Sequence, residues 1–329
     1  MIIGDRMKVT VLGTGAFGLA LASVLAENKN EVVMWTRFEE EKKRLIETKT
    51  TPKLEGFILD DKNIKIECDL EESIKGSELI VLAIPTAFIT DVFKQIKKYI
   101  KTNQYICIAS KGIEQGTCLF IHDMIKKQIK NKNIGAISGG SFAVDLVNKV
   151  PVGLSVASRS KKTREIIMKA FVNDHFRLEP TTDIIGIEVC GAVKNIMAIA
   201  SGMVDGLGYP ISTQALLITQ SLHDIKSLIH ALGGSKNTIL SFAGFGDILL
   251  TCTSEKSRNY SFGKLIGSGA SLEEIENYKN KITIEGLYTL KSIHKLIKKK
   301  KIKIPTINII HDIVFKDKKV DELIKYISI

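Results

Sequence analysis

The sequence predicts an α/β fold, with an N-terminal Rossmann-like, doubly wound, mostly parallel sheet and an all-α C-terminal domain. Three observations carry this. The run Gly13-Thr14-Gly15-Ala16-Phe17-Gly18 sits between a β-branched stretch and an apolar helical one. Strand-like and helix-like segments then alternate as far as about residue 185. Beyond that point apolar residues recur at helical spacing and little reads as strand. The expected boundary therefore lies near residue 186, giving domains 1–186 and 187–329. A length of 329 residues suffices for two such cores.

Each element has its own warrant. Residues 8–12 are a short β-branched run ending in glycine, which reads as a buried strand. Residues 17–27 place Leu21, Val24 and Leu25 at helical spacing. Residues 9–26 carry no charge and follow Arg6 and Lys8, which imitates a signal peptide or membrane span. Gly13, Gly15 and Gly18 interrupt that stretch, and each is costly inside a helix, so strand, turn and helix is the better reading and no integral membrane segment is expected. Six residues precede Met7, which stands as an alternative start.

Residues 31–35 form a second strand and 39–48 a charged helix. Further strands are expected at 65–68, 78–84, 105–109, 134–137 and 152–157, with helices around 87–101 and 118–130. In the second domain, 188–204, 213–232, 236–242, 272–278, 284–299 and 307–315 read as helices.

Composition narrows the function classes. The formal charge is +11, split as +5 over residues 1–186 and +6 over 187–329, so no basic tail produces it. Only seven of the 47 basic residues are Arg, the side chain that reads phosphates and bases bidentately. A lysine-rich solvated surface is therefore expected, and no nucleic acid partner. The five cysteines are an odd count with no C-x-x-C pair, and the six histidines lack H-E-x-x-H spacing. A reducing cytoplasm and no structural metal follow.

Within the glycine run, Gly13 permits a tight turn, Gly15 admits the pyrophosphate of a dinucleotide, and Gly18 lets helix pack on strand. The helix N-terminus then offers free N–H groups to the anion. The second strand ends Trp35-Thr36-Arg37 with no acid before Glu39. An acid there would select NAD through the ribose 2′-hydroxyl, whereas Arg37 admits a 2′-phosphate, so NAD or NADP is expected. The plain alternative is a surface arginine heading a helix.

Three turns fall where strands end: Leu82-Ala-Ile-Pro-Thr86, Ile108-Ala-Ser-Lys-Gly112 and Ile137-Ser-Gly-Gly-Ser-Phe142. Glycine-rich turns beside Lys111 suit a phosphorylated ligand, and Ser141 is placed to cap the following helix. Lys194 lies in Gly191-Ala-Val-Lys-Asn-Ile-Met-Ala-Ile-Ala200, otherwise almost wholly small and apolar. Desolvation prepares a lysine for proton transfer, unless it snorkels outward at a helix end. Two further loops read as ligand-binding: Gly244-Phe-Gly-Asp247 and Ser257-Arg-Asn259. Asp247 is placed to pair with Lys194 or accept a substrate hydroxyl. Arg258, the only arginine after residue 177, offers a planar fork to a phosphate.

These motifs, in this order, resemble the bacterial-type NAD(P)-dependent glycerol-3-phosphate dehydrogenases from Lys8 to about Asp317. Ser110-Lys-Gly112, Ile137-Ser-Gly139, Gly191-Ala-Val-Lys-Asn195, Gly244-Phe-Gly-Asp247, Leu250-Thr-Cys-Thr253, Ser257-Arg-Asn259 and Glu285-Gly286 carry the likeness. The resemblance implies reversible reduction of dihydroxyacetone phosphate to sn-glycerol 3-phosphate, supplying phospholipid synthesis, and is compatible with a homodimer. By motif match it implies Lys194 as proton donor and acceptor. It implies substrate contacts from Lys111, Gly139, Ser141, Lys194, Asp247, Ser257, Arg258 and Asn259. It implies dinucleotide contacts from Gly13, Gly15, Ala16, Phe17, Gly18, Arg37, Lys111, Ala143, Arg258, Thr283 and Glu285. Two departures stand out: Gly140 where the family usually has proline, and Ala16 where serine is common.

Two rivals remain on sequence grounds. A reductase of 3-hydroxyacid type would share the architecture and a lysine on the helix entering the second domain, but a carboxylate substrate does not call for the Ser257-Arg-Asn259 grip. A dinucleotide-sensing scaffold needs the glycine loop but neither Lys194 nor Asp247.

Overall fold

The β-branched run after Met7 forms β1 (Lys8–Leu12), with four of its five residues buried, in the computed structural model, which describes residues 6–328. Of the six residues preceding Met7, only Arg6 is among them. The other strands are β2 (Glu31–Trp35), β3 (Ile64–Glu67), β4 (Leu79–Leu82), β5 (Tyr105–Ile108), β6 (Ile134–Ser138), β7 (Val152–Ala157) and β8 (Phe176–Thr181). They make one eight-stranded sheet in the order β3-β2-β1-β4-β5-β6-β7-β8. Every pairing is parallel except β6 with β7. Central β4 (Leu-Ile-Val-Leu) and β6 are buried throughout, as expected of strands covered by helices on both faces.

The strand order reverses at β1, which lies between β2 and β4. Open sheets of this kind bind ligands outside the carboxyl ends of the strands at such a switch point. The Gly13–Gly18 run occupies that place, between β1 and the helix Ala16–Glu27.

Some elements depart from the sequence expectation. β8 was not expected, because its alternation Phe-Arg-Leu-Glu is cut by Pro180. It pairs only with β7, and an edge position tolerates proline. The strand expected at 78–84 narrows to β4, since the chain turns away ahead of Pro85. The helices Leu70–Ile74 and Ala143–Val147 are too short to show a period, and Lys161–Phe171 was also unexpected. Ser141 does not cap: the N-cap residue of Ala143–Val147 is Phe142, with no side-chain cap.

Two compact units make up the chain: residues up to Lys111 with Ile121–Ile184, and Gly112–Phe120 with Ile185 onward. A single boundary near residue 186 assigns 112–120 to the first domain, yet Ile113, Cys118 and Phe120 are buried in the apolar core of the second unit. Within the second unit the helix Ile184–Gly206 is buried almost all round, from Val189 to Val204. It is long and apolar enough to cross a membrane, but 94% of its most apolar window is buried inside the protein. An all-round apolar helix of that kind is a core helix.

The helix Arg258–Gly267 packs on it at very short range. A Cβ at Gly263 would lie 1.9 Å from the Ile199 carbonyl oxygen, and one at Gly202 would lie 2.0 Å from that of Tyr260. Only glycine permits this approach. Other helices of the unit are Ile211–Ala231, Asp247–Cys252, Leu272–Lys281, Glu285–Lys300, Pro305–Phe315 and Asp321–Ile327. Residues 236–242, expected as an α-helix, form a short 3₁₀ turn at Lys236–Leu240.

Candidate active site

In the first unit, Gly13 has φ +113° and its N–H donates to the Trp35 carbonyl at 3.0 Å. A Cβ there would lie 2.6 Å from the Ala83 oxygen, and one at Gly18 would lie 2.3 Å from the Gly13 oxygen. Gly15 differs: nothing lies within 4 Å of its would-be Cβ. Two glycines thus close the turn and the third leaves open space at the helix N-terminus, where Ala16 and Phe17 begin the helix. That space fits a pyrophosphate, which the free N–H groups would receive.

Lys111, just after β5, donates from Nζ to the Gly139 carbonyl at 3.2 Å and stands 5.5 Å from the Phe17 ring centroid. Its cation is therefore delivered beside the glycine run. Gly139 cannot carry a side chain, because a Cβ would lie 2.7 Å from Leu154 Cα. Ser141 Oγ is buried and has no hydrogen-bond partner among the described residues, as expected of a group left for a ligand. Ala143 opens the next short helix.

Arg37 is exposed just beyond the end of β2, with its guanidinium 5.8 Å from the Phe38 ring centroid. A cavity of about 550 Å³ opens there, lined by Trp35, Arg37, Cys68, Leu70, Phe88 and Tyr99 among others. Asp69, Glu71, Asp91 and Lys98 also line it, so the walls combine aromatic rings, which suit an adenine, with charges of both signs.

In the second unit Lys194 is 8% exposed, set on the buried helix Ile184–Gly206. Its Nζ donates to Asp247 Oδ1, and to Thr251 Oγ1 at 3.1 Å. Asp247 is wholly buried, and Thr251 Oγ1 bonds its backbone oxygen at 2.6 Å. The surroundings are dry: burial pushes the neighbouring Cys252 thiol up to about 12. A buried ammonium requires such a countercharge. Lys194 does not snorkel outward.

The Gly244–Asp247 motif is not a loop. It is a π turn, Phe242–Gly246, running into the helix Asp247–Cys252. The carboxylate at position 247 therefore sits where the π turn passes into the α-helix, within one continuous helical stretch. Thr251 follows one turn later. Ser257-Arg-Asn259 likewise starts a helix: the Ser257 side chain accepts from the Tyr260 N–H, capping Arg258–Gly267. Asn259 Nδ2 donates to Asn195 Oδ1 at 3.1 Å, and Asn259 Oδ1 accepts from the Gly286 N–H at 2.9 Å. That triangle ties three helices together beside Lys194. Arg258 and Thr283 are exposed, and Glu285 begins the helix Glu285–Lys300.

Thr251, Asn195 and Glu41 were not among the candidate residues. Thr251 had a signal, since it lies one helical turn after Asp247. Glu41 Oε2 accepts from Thr14 Oγ1 at 2.8 Å and from Thr36 Oγ1 at 2.9 Å. Nothing in a charged helix start distinguishes it by sequence.

Comparison with known proteins bears on both units. The family described as NAD-dependent glycerol-3-phosphate dehydrogenase matches through its N-terminal model at residues 8–164 and its C-terminal model at 183–325. A Staphylococcus haemolyticus protein named glycerol-3-phosphate dehydrogenase [NAD(P)+] is 35% identical over 97% of this chain and 96% of its own. A Staphylococcus aureus protein of the same name is 36% identical over the same shares. The crystal structure of a Coxiella burnetii glycerol-3-phosphate dehydrogenase aligns with TM-score 0.90 and 29% identity, over 98% of both chains. The chain belongs to the NAD-dependent glycerol-3-phosphate dehydrogenase family.

Proposed function

We propose that the chain reduces dihydroxyacetone phosphate reversibly to sn-glycerol 3-phosphate, with Lys194 as the proton donor and acceptor. The carrying observation is the buried Lys194–Asp247–Thr251 cluster. When bound, NAD(P)H supplies the hydride. The chain's own work is to hold both ligands and to move one proton.

Lys194 carries the ammonium proton that neutralises the oxygen at substrate C2 as that oxygen gains charge. Asp247 and Thr251 fix Nζ at one point, so little reorganisation is needed when charge develops. Arg258, with Ser257 and Asn259 at the same helix start, grips the substrate phosphate as an orienting handle. Lys111, Gly139 and Ser141 complete the substrate set.

Gly13, Gly15, Ala16, Phe17 and Gly18 receive the pyrophosphate, and Arg37 meets the adenosine ribose. Both NAD and NADP are accepted on this reading, because Arg37 follows the tip of β2 and the acid that reaches that tip, Glu41, is paired with Lys53. Ala143, Thr283 and Glu285 are further dinucleotide contacts. On this reading the pyrophosphate and ribose contacts come from the N-terminal sheet unit and the proton donor and phosphate grip from the helical unit, with Lys111, Gly139 and Ser141 adding to the substrate set and Thr283 and Glu285 to the dinucleotide set. Supply of phospholipid synthesis, a cytoplasmic site and a homodimer fit the same reading, as do the five free cysteines.

The test is an absorbance assay at the nicotinamide band with dihydroxyacetone phosphate and each reduced dinucleotide in turn. Oxidation is expected with the phosphorylated ketone and to be at least about a hundredfold weaker with dihydroxyacetone, which lacks the handle. No oxidation with either dinucleotide overturns the reading.

A further inference from the structure

We propose that Glu41 is a positioning residue for dinucleotide binding, latching the glycine run onto the tip of β2 through the hydroxyls of Thr14 and Thr36. This rests on the dinucleotide reading above. Thr14 is the second residue of the glycine run, and Thr36 is the first residue beyond β2. One carboxylate oxygen, Oε2, accepts from both hydroxyls, at 2.8 and 2.9 Å. The other, Oε1, takes the Lys53 ammonium, and Arg44 approaches it at 3.9 Å.

The Glu41 side chain is only 6% exposed. Burial pushes its carboxyl pKa up, but hydrogen bonds from Lys53, Thr14 and Thr36 outweigh this and hold it below the ordinary value. An ionised carboxylate is acceptor-only, so both threonine hydroxyls must point at it. Charge-assisted bonds of this kind are shorter and about twice as strong as neutral ones.

The position gives the latch its consequence. Apart from it, among the described residues the glycine run is joined to β2 by the main-chain bond from Gly13 to Trp35. Fixing Thr14 fixes the peptide that precedes Gly15, above which the space for a pyrophosphate lies. A carboxylate so near a phosphate site would repel the ligand were it bare. Lys53 neutralises it, and Lys53 Nζ also reaches the Thr14 carbonyl at 3.5 Å. Glu41 therefore shapes the anion site without confronting the anion.

The experiment is a double-substitution cycle on NADH affinity by titration calorimetry, with steady-state kinetics alongside. Glu41→Leu and Thr14→Val are each expected to weaken NADH about tenfold, the worth of a charge-assisted bond. The kcat at saturating dinucleotide and the KM for dihydroxyacetone phosphate should stay within twofold. The double variant should bind no worse than the weaker single, because both remove the same link. Thr14→Val keeps the Glu41–Thr36–Lys53 contacts, so it tests the latch even if Glu41→Leu folds poorly. Unchanged affinity, losses that multiply, or an equal fall in kcat overturns the proposal. Absence of NADH or NADPH binding by the unsubstituted protein overturns instead the reading on which it rests.

Discussion

Lys194 is an ammonium on a buried, largely apolar helix, and the carboxylate of Asp247 meets it there. Asp247 is buried, and Thr251 bonds both members of the pair. Removing the charge of Asp247 would take a carboxylate partner from a buried ammonium, a defect of about 3–5 kcal/mol. Asp247→Asn is therefore expected to lower stability by about 3 kcal/mol in denaturant unfolding and to cut turnover at least about a hundredfold. A variant as stable and as active as the parent would show that the pair is incidental. At this scale the sequence was most informative about charges in apolar company. Lys194 stands out because everything around it is small and hydrophobic, and Arg258 because it has no other arginine nearby. Asn195 was harder to see than Thr251, since an amide matters only once a fold brings it to its partner.

At the scale of elements, glycine decides where helices meet. The crossing of Ile184–Gly206 with Arg258–Gly267 leaves no room for a methyl at Gly263. Gly263→Ala should therefore destabilise by about 3 kcal/mol, the upper end of ordinary overpacking, and this is read as a shift in denaturant midpoint. The effect reaches function, because the same crossing brings Asn259 to Asn195.

A second element-scale prediction concerns the packed pair Glu285–Lys300 and Pro305–Phe315. Their His294 and His311 rings stack at 3.6 Å. Burial, then the charge of His311 and of Lys298, pushes His294 down to about 4. The folded chain therefore takes up this proton less readily than the unfolded one, whose histidine titrates at about 6.5. Stability is complete above that value and falls as pH drops from about 6.5 toward 4. Melting temperature should decline across that window, and His294→Gln should flatten the decline. An unaltered slope in the variant would assign the loss to other groups. Most of the elements that the sequence concealed were short or interrupted, the eleven-residue helix Lys161–Phe171 being an exception. Leu70–Ile74 and Ala143–Val147 contain barely one turn, and β8 hides its alternation behind a proline that only an edge tolerates.

Over the whole molecule, the broad division was legible because it rests on periodicities sustained for many residues. A strand–helix alternation gives way to helices alone, and the sheet and the helical unit follow it. The grouping of Gly112–Phe120 with the helical unit was not legible, since it depends on where three apolar side chains find a core. The net charge of +11 carries little by itself, being mostly lysine spread over both halves. Ligand linkage works at this scale too. NADH at a hundred times its dissociation constant should stabilise the folded chain by about 2.7 kcal/mol, visible as a raised melting temperature. The same addition to Gly13→Ala should do far less, because φ +113° and the nearby Ala83 oxygen exclude a methyl.

The central claim is that this chain reduces its ketone by a proton from Lys194. Lys194→Ala tests it most directly, with turnover of dihydroxyacetone phosphate and dinucleotide affinity measured on the same preparation. The expected result is a loss of turnover of about a thousandfold or more, with the NADH dissociation constant changed less than about threefold. Turnover near that of the unsubstituted enzyme would contradict the account.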